Sequence, residues 1–301
     1  MAGLFRRKVW PLVYFVPEMV RPRRVILLSS HRINTIDTGV AGAVVPFLLQ
    51  WSLDRYSCRT TLRSWAIIIP LLLLPTLPFL KPRVPLSKDS QPRRTSYRFM
   101  QSRTFWLYQT ANILEGLGYF LPTIYLSTCV QQLGHSRLTG SLLIALINIA
   151  AIFSQLSFGY LVDRISVSTV MLISALGSSI AVLALWGTAT SLPILIMFAV
   201  CYGAFAGGWT SCFIGMTKET MASMRGADSG TVFGLFCCGR GIGAVISGPL
   251  SEGLLAGGRA GFSKASLGYG TGYGPLIVFT GVSALCGSLS FIWKRVSPRN
   301  V

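Results

Sequence analysis

Two charged residues stand in the middle of long apolar stretches: Glu115 within 104–128 and Arg240 within 229–254. An ionised group at a bilayer centre costs about 2.5–3.5 kcal/mol on insertion scales, so such a residue faces a partner or a cavity. Asn112 and Tyr119 stand three residues before and four after Glu115, which puts the three on one helical face. Gly239 and Gly241 flank Arg240 and leave room around its guanidinium. A guanidinium and a carboxylate so placed are functional-site candidates by default. The alternative is a purely structural pair, or an arginine that snorkels to the interface. Ser141, Asn148 and Gln155 recur every seven residues and share a face, as do Tyr202 and Trp209. They either line a pore or bond across helices.

Other chemistries find little support. The two histidines, His31 and His135, lie outside the apolar stretches, and there is no HExxH, Walker loop or paired catalytic aspartate, so the expectation is no enzyme, no metal site and no cofactor. Gly268-Tyr-Gly-Thr-Gly-Tyr-Gly274 is not a dinucleotide fingerprint, since its third glycine is misplaced and no strand precedes it. Vicinal Cys237 and Cys238 read as small apolar fillers.

The elements that must position these residues are membrane helices. Of 301 residues 51% are hydrophobic and 12% charged, with a mean hydropathy of +0.58. That excludes an ordinary soluble enzyme and a disordered chain. Residues 165–217 contain no Asp, Glu, Lys or Arg; a run this long exceeds the roughly 20 residues of one crossing and must fold back, at Gly187-Thr-Ala-Thr-Ser-Leu-Pro193. The same test gives spans near 38–53, 64–80, 104–128, 139–162, 167–187, 192–216, 229–254 and 273–293. The fold class is therefore all-α integral membrane, with about eight transmembrane helices. Pro122 is expected to kink the third span, freeing carbonyls that protein or water must satisfy.

These spans divide the chain into an irregular basic segment at 1–37, two helices at 38–80, a Pro-rich basic linker at 81–103, six helices at 104–293 and a tail at 294–301. The net charge of +18 does not indicate nucleic acid, because the basic residues fall between spans. Twenty of the 27 Lys and Arg lie on the side of the two termini and the linker, six on the other, with Arg240 inside a span. The excess marks the cytosolic face. The lipid bilayer is the obligatory partner, with anionic lipid a secondary option for the linker.

The first span carries Gly39-Val-Ala-Gly42-Ala43-Val44-Val45-Pro46 and the seventh Gly241-Ile-Gly243-Ala244-Val245-Ile246-Ser-Gly-Pro249. Each is the second-last span of its block, as in transporters built from parallel six-helix repeats. With Val45-Pro46-Phe-Leu-Leu-Gln50, Leu53-Asp54-Arg55-Tyr56, Gly116-Leu-Gly-Tyr-Phe-Leu-Pro122, Gly159-Tyr-Leu-Val-Asp163-Arg164 and Gly239-Arg240-Gly241-Ile-Gly243, the chain over about 38–295 resembles the major facilitator superfamily, in its fungal monocarboxylate-porter-like branch.

That resemblance implies an incomplete 2+6 arrangement lacking the first four family helices, with the spans that carry Glu115 and Arg240 bordering a central cavity. It implies secondary transport of a small organic anion, with or without protons, in the plasma membrane, and leaves oligomeric state open. Substrate binding then falls to Arg240, Glu115, Asn112, Tyr119, Asn148 and Gln155. Asp54, Arg55, Gly159, Asp163 and Arg164 are motif residues, with Arg164 able to pair with Asp163 in a latch between helices. Ala151 and Gln155 stand about where animal monocarboxylate transporters carry an Asp and an Arg, so proton-coupled lactate transport does not carry over. A non-transporting remnant, or a scaffold that requires a partner, is the alternative, and the 301-residue chain by itself is expected not to transport.

Overall fold

The computed structural model describes residues 44–45, 47–79, 97–223, 228–261, 268–269 and 272–296. The expectations for 1–37, for the glycines of the first span, for most of the linker and for the end of the tail fall outside the described residues. The described residues are predominantly helical, with no strand among them. After a helical stretch at 47–55 come α1 (Cys58–Leu73), α2 (Arg103–Tyr119), α3 (Leu121–Gln132), α4 (Arg137–Val162) and α5 (Val167–Ile180). They are followed by α6 (Leu192–Ala206), α7 (Cys212–Ser223), α8 (Ser229–Gly261), α9 (Gly274–Cys286) and α10 (Leu289–Val296).

Seven segments among the described residues are long and apolar enough to cross a membrane: Cys58–Pro78, Arg103–Gln132, Arg137–Val162, Val167–Trp186, Leu192–Ser223, Ser229–Gly257 and Gly274–Trp293. They coincide with the last seven expected spans. The remaining one, 38–53, is described only in part.

Local chemistry sets the starts. Ser57, Ser136 and Ser166 accept from the amides of Thr60, Thr139 and Thr169, and Asp228 accepts from that of Thr231. One capping arrangement, a short side-chain oxygen three residues before a threonine, thus opens four helices, and each such cap contributes about 1 kcal/mol.

The interruptions are equally specific. Pro122 separates α2 from α3 within one span. Protein groups satisfy the carbonyls at the break: Tyr119 O accepts from the Tyr202 hydroxyl at 2.8 Å and Phe120 O from Thr123 at 2.8 Å. Between α6 and α7 the chain tightens into a 3₁₀ turn at Gly207–Ser211. Gly203 and Gly207 lie directly against Ile147, Ala150 and Ala151 of α4, so the Gly-x-x-x-Gly spacing serves close helix approach.

Polar contacts between segment ends agree with alternating crossings. Asp54 meets Arg137, Asp163 meets Lys218, Ser102 meets Ser223, and the Tyr269 hydroxyl meets Leu183 O. Each pair joins segments that the span order puts on the same side.

The interior holds two apolar clusters. One gathers Leu121, Leu126, Trp186, Phe198 and Leu276 towards the α3 end; the other gathers Phe99, Phe105, Met171, Met216 and Phe236 towards the start of α2. Along α2 the first cluster begins at Leu121 and the second ends at Ala111. Residues 112–118 therefore lie in the layer between them, with Tyr119 at its border against the first cluster. By contrast α1 buries only Thr61, whose hydroxyl donates to Ser52 O at 3.3 Å.

Candidate functional site: a buried ion pair between α2 and α8

The charged residues singled out in the sequence meet in this middle layer. Arg240 Nη1 lies 2.5 Å from Glu115 Oε2, and both side chains are almost wholly buried. The guanidinium carbon sits 4.1 Å from the centroid of the Tyr119 ring, in reach of a cation–π attraction that strengthens when water is excluded. Two groups of one helical face, Glu115 and Tyr119, thus converge on a residue more than 120 positions away in the chain.

Glycines let the helices come this close. A Cβ on Gly116 would stand 3.1 Å from Arg240 O, and one on Gly243 would stand 2.7 Å from Ile113 O and 3.0 Å from Gly116 C. Gly239 lies against the Gln109 side chain, and Gly241 faces open space. The two glycines that flank Arg240 therefore do not frame its guanidinium as the sequence suggested. One admits the opposing helix, and the other lies on the outer face.

Asn112, Tyr202 and Trp209 turn out to be braces. Asn112 is fully buried; its amide nitrogen donates to Phe236 O at 2.7 Å, and its oxygen accepts from Trp209 Nε1 at 3.1 Å. Gln109, which the sequence reading passed over, donates to Leu235 O at 3.0 Å. Its signal was present in the spacing, since Gln109, Asn112 and Glu115 follow one another at three-residue intervals. Two buried polar atoms of this layer, Arg240 Nη2 and Gln109 Oε1, have no hydrogen-bond partner among the described residues.

Asn148 and Gln155 do not join this group. Both are half-buried on α4; Asn148 donates to Ile144 O of its own helix at 2.9 Å, while the Gln155 carbonyl accepts from Ser211 at 3.0 Å. Cys237 and Cys238 are exposed on α8 rather than filling the core.

The motif residues lie at the ends of helices. Asp163 pairs with Lys218 of α7 at 3.2 Å, and Arg164 lies over Tyr160 at 5.1 Å, so Lys218 takes the role expected of Arg164. The reason is geometric: Asp163 caps the end of α4 and points across to α7. Gly159 has open space where a side chain would be. Asp54 accepts from Gln50 at 2.8 Å and lies 3.8 Å from Arg137, while Arg55 covers Trp51 at 5.8 Å.

A bundle of apolar spans around a buried ion pair is the interior of an integral membrane protein, and the family model described as Major Facilitator Superfamily matches residues 110–301. The chain belongs to that family of membrane transporters. It is similar to MFS-type transporter 1 of Ophiocordyceps sp., at 24% identity over 293 residues covering 95% of this chain and 60% of that protein. It is also similar to the Fujikurins efflux protein of Gibberella fujikuroi, at 25% over 272 residues covering 89% and 55%. A third relative is Monocarboxylate transporter 13 of Rattus norvegicus, at 25% over 292 residues covering 95% and 64%. The chain spans about 60% of the length of such relatives.

Proposed function

We propose that the chain serves secondary transport of a small organic anion across the plasma membrane, without enzymatic activity, and that Arg240 is the group that binds the anion. The observation that carries this reading is the buried guanidinium with Nη1 on Glu115 and Nη2 unpartnered. A buried donor left unmade costs about 1–3 kcal/mol, and more when charged, so a ligand oxygen that completes it binds with that advantage. Glu115 is the counter-charge that keeps the layer neutral in the absence of ligand, and Tyr119 fixes the plane of the guanidinium. Asn112 holds α2 against α8, and Asn148 with Gln155 belongs to the opposite wall of the path. Asp54 and Asp163 work at the helix ends, where their ion pairs bridge neighbouring segments.

A second reading, export of an organic product, has the name of the Fujikurins efflux protein in its favour. It differs in direction, with the same binding group.

Uptake in liposomes tests the assignment, using the chain fused to a four-helix N-terminal segment of the Ophiocordyceps relative and a panel of labelled monocarboxylates. Arg240→Ala is expected to abolish saturable uptake, and Arg240→Lys to retain part of it, because an ammonium replaces the charge but not the two-pronged donor geometry. Unchanged affinity in the alanine variant would reduce Arg240 to a structural residue.

A further inference from the structure

The span Val167–Trp186 ends in a wider coil than it begins. From Ala181 to Trp186 the backbone is a π-helix, and the Gly187 amide donates to Val182 O, five residues back, at 3.1 Å. In an α-helix that amide would donate to Leu183 O. Leu183 O instead accepts from the Tyr269 hydroxyl at 2.7 Å. Such π turns are rare and frequently stand at functional sites. Gly268 and Tyr269 fit the wide turn closely. A Cβ on Gly187 would collide with Leu183 O and the Tyr269 ring, and one on Gly268 would stand 2.6 Å from Trp186 O.

Trp186, the last residue of the turn, is buried and opens a column of rings that runs into the middle layer. Its ring centroid lies 5.4 Å from that of Phe198, with 26° between the planes. Phe198 lies 5.4 Å from Tyr202 at 29°, and Tyr202 lies 6.4 Å from Tyr119 at 32°. On Tyr119 sits the Arg240 guanidinium, 4.1 Å from the centroid. The Tyr202 hydroxyl also holds Tyr119 O at the Pro122 break. A close-packed interior has few voids and transmits displacement, so the seat of Trp186 bears on the far end of the column.

We propose that Tyr269 is a positioning residue for the Arg240 layer: its hydroxyl holds the end of this span in π register and so seats Trp186 on Phe198. When the hydroxyl lets go, the Gly187 amide returns to Leu183 O, the turn closes up by one residue, and Trp186 rotates by about 100° off the column. The turn is thus the two-state element that coupling between distant groups requires. Coupling is reciprocal, so a change at Arg240 alters the turn as well. This holds whatever Arg240 binds.

Fluorine NMR of the full chain labelled with fluorotryptophan, in detergent, tests this, with the Trp186 line assigned by its loss in Trp186→Phe. Tyr269→Phe removes only the hydroxyl and is expected to move the ratio of held to released turn about fivefold, the worth of one net hydrogen bond. Gly187→Ala displaces the Tyr269 ring and is expected to shift the Trp186 line in the same direction, adding little when combined with Tyr269→Phe. Glu115→Leu with Arg240→Met, three rings away, is expected to shift the Trp186 line too. Should that double variant not fold, Tyr119→Leu, which removes one ring of the column, takes its place. A Trp186 line unmoved by Tyr269→Phe and Gly187→Ala overturns the latch. A line that these two move, but that changes at the Arg240 end of the column leave in place, overturns the coupling and reduces Tyr269 to local packing.

Discussion

Arg240 and Glu115 answer to one another before they answer to any ligand. Taking two charges out of water costs several kcal/mol per ion, and only a short, well-placed contact offsets it. The 2.5 Å contact, with the Tyr119 ring over the guanidinium, supplies that geometry. Removing one partner leaves a bare charge between α2 and α8, whereas removing both leaves an apolar seam. Glu115→Gln is therefore expected to destabilise the protein by about 3–5 kcal/mol, and Glu115→Leu with Arg240→Met to come close to the parent stability. Unfolding of the variants in mixed micelles measures both. Similar losses in the single and the double variant would show that the pair acts through packing volume rather than charge.

At the scale of the helix the decisive feature is which glycine faces a neighbour. Gly241 and Gly243 lie two residues apart on α8, and no sequence rule ranks them. A Cβ on Gly243 would collide with the α2 backbone, which cannot rotate out of the way, while one on Gly241 would enter open space. Gly243→Val is expected to cost about 1–3 kcal/mol through overpacking and to separate Arg240 from Glu115, with Gly241→Val nearly silent. Thermal unfolding in detergent distinguishes them, and equal melting temperatures would contradict the close α2–α8 contact. The Pro122 break belongs to this scale too. Its effect on the backbone was legible in the sequence, but that Tyr202 donates to the Tyr119 carbonyl was not, since Tyr202 is 83 residues away.

For the whole molecule, the distribution of basic residues sets a direction across the bilayer. The linker at 81–103 and the Asp163–Lys218 pair share one side in the span order, and the Asp54–Arg137 pair takes the other. With the excess of Lys and Arg on the linker side, that side is expected to be cytosolic. A cysteine introduced at Ser90, in a chain otherwise cleared of reactive cysteines, is expected to resist an impermeant thiol reagent on intact cells and to react after permeabilisation. Labelling on intact cells would invert the orientation.

The amino-acid sequence by itself determined the spans, because an unbroken run of some 20 apolar residues has one low-energy placement in lipid and each helix satisfies its own backbone. It also determined that Glu115 and Arg240 needed a partner, because isolated charge in hydrocarbon is untenable. Tertiary structure decided that they partner each other, that Asn112 and Trp209 brace the helices rather than face a ligand, that Lys218 rather than Arg164 meets Asp163, and that Asn148 and Gln155 stand apart. The physical reason is that periodicity fixes which residues share a face, whereas the rotation of each helix about its axis is set by packing with a helix distant in sequence. Between α2 and α8 that rotation is fixed by the glycines at 116 and 243, the positions where the two backbones come close enough for a guanidinium to reach a carboxylate.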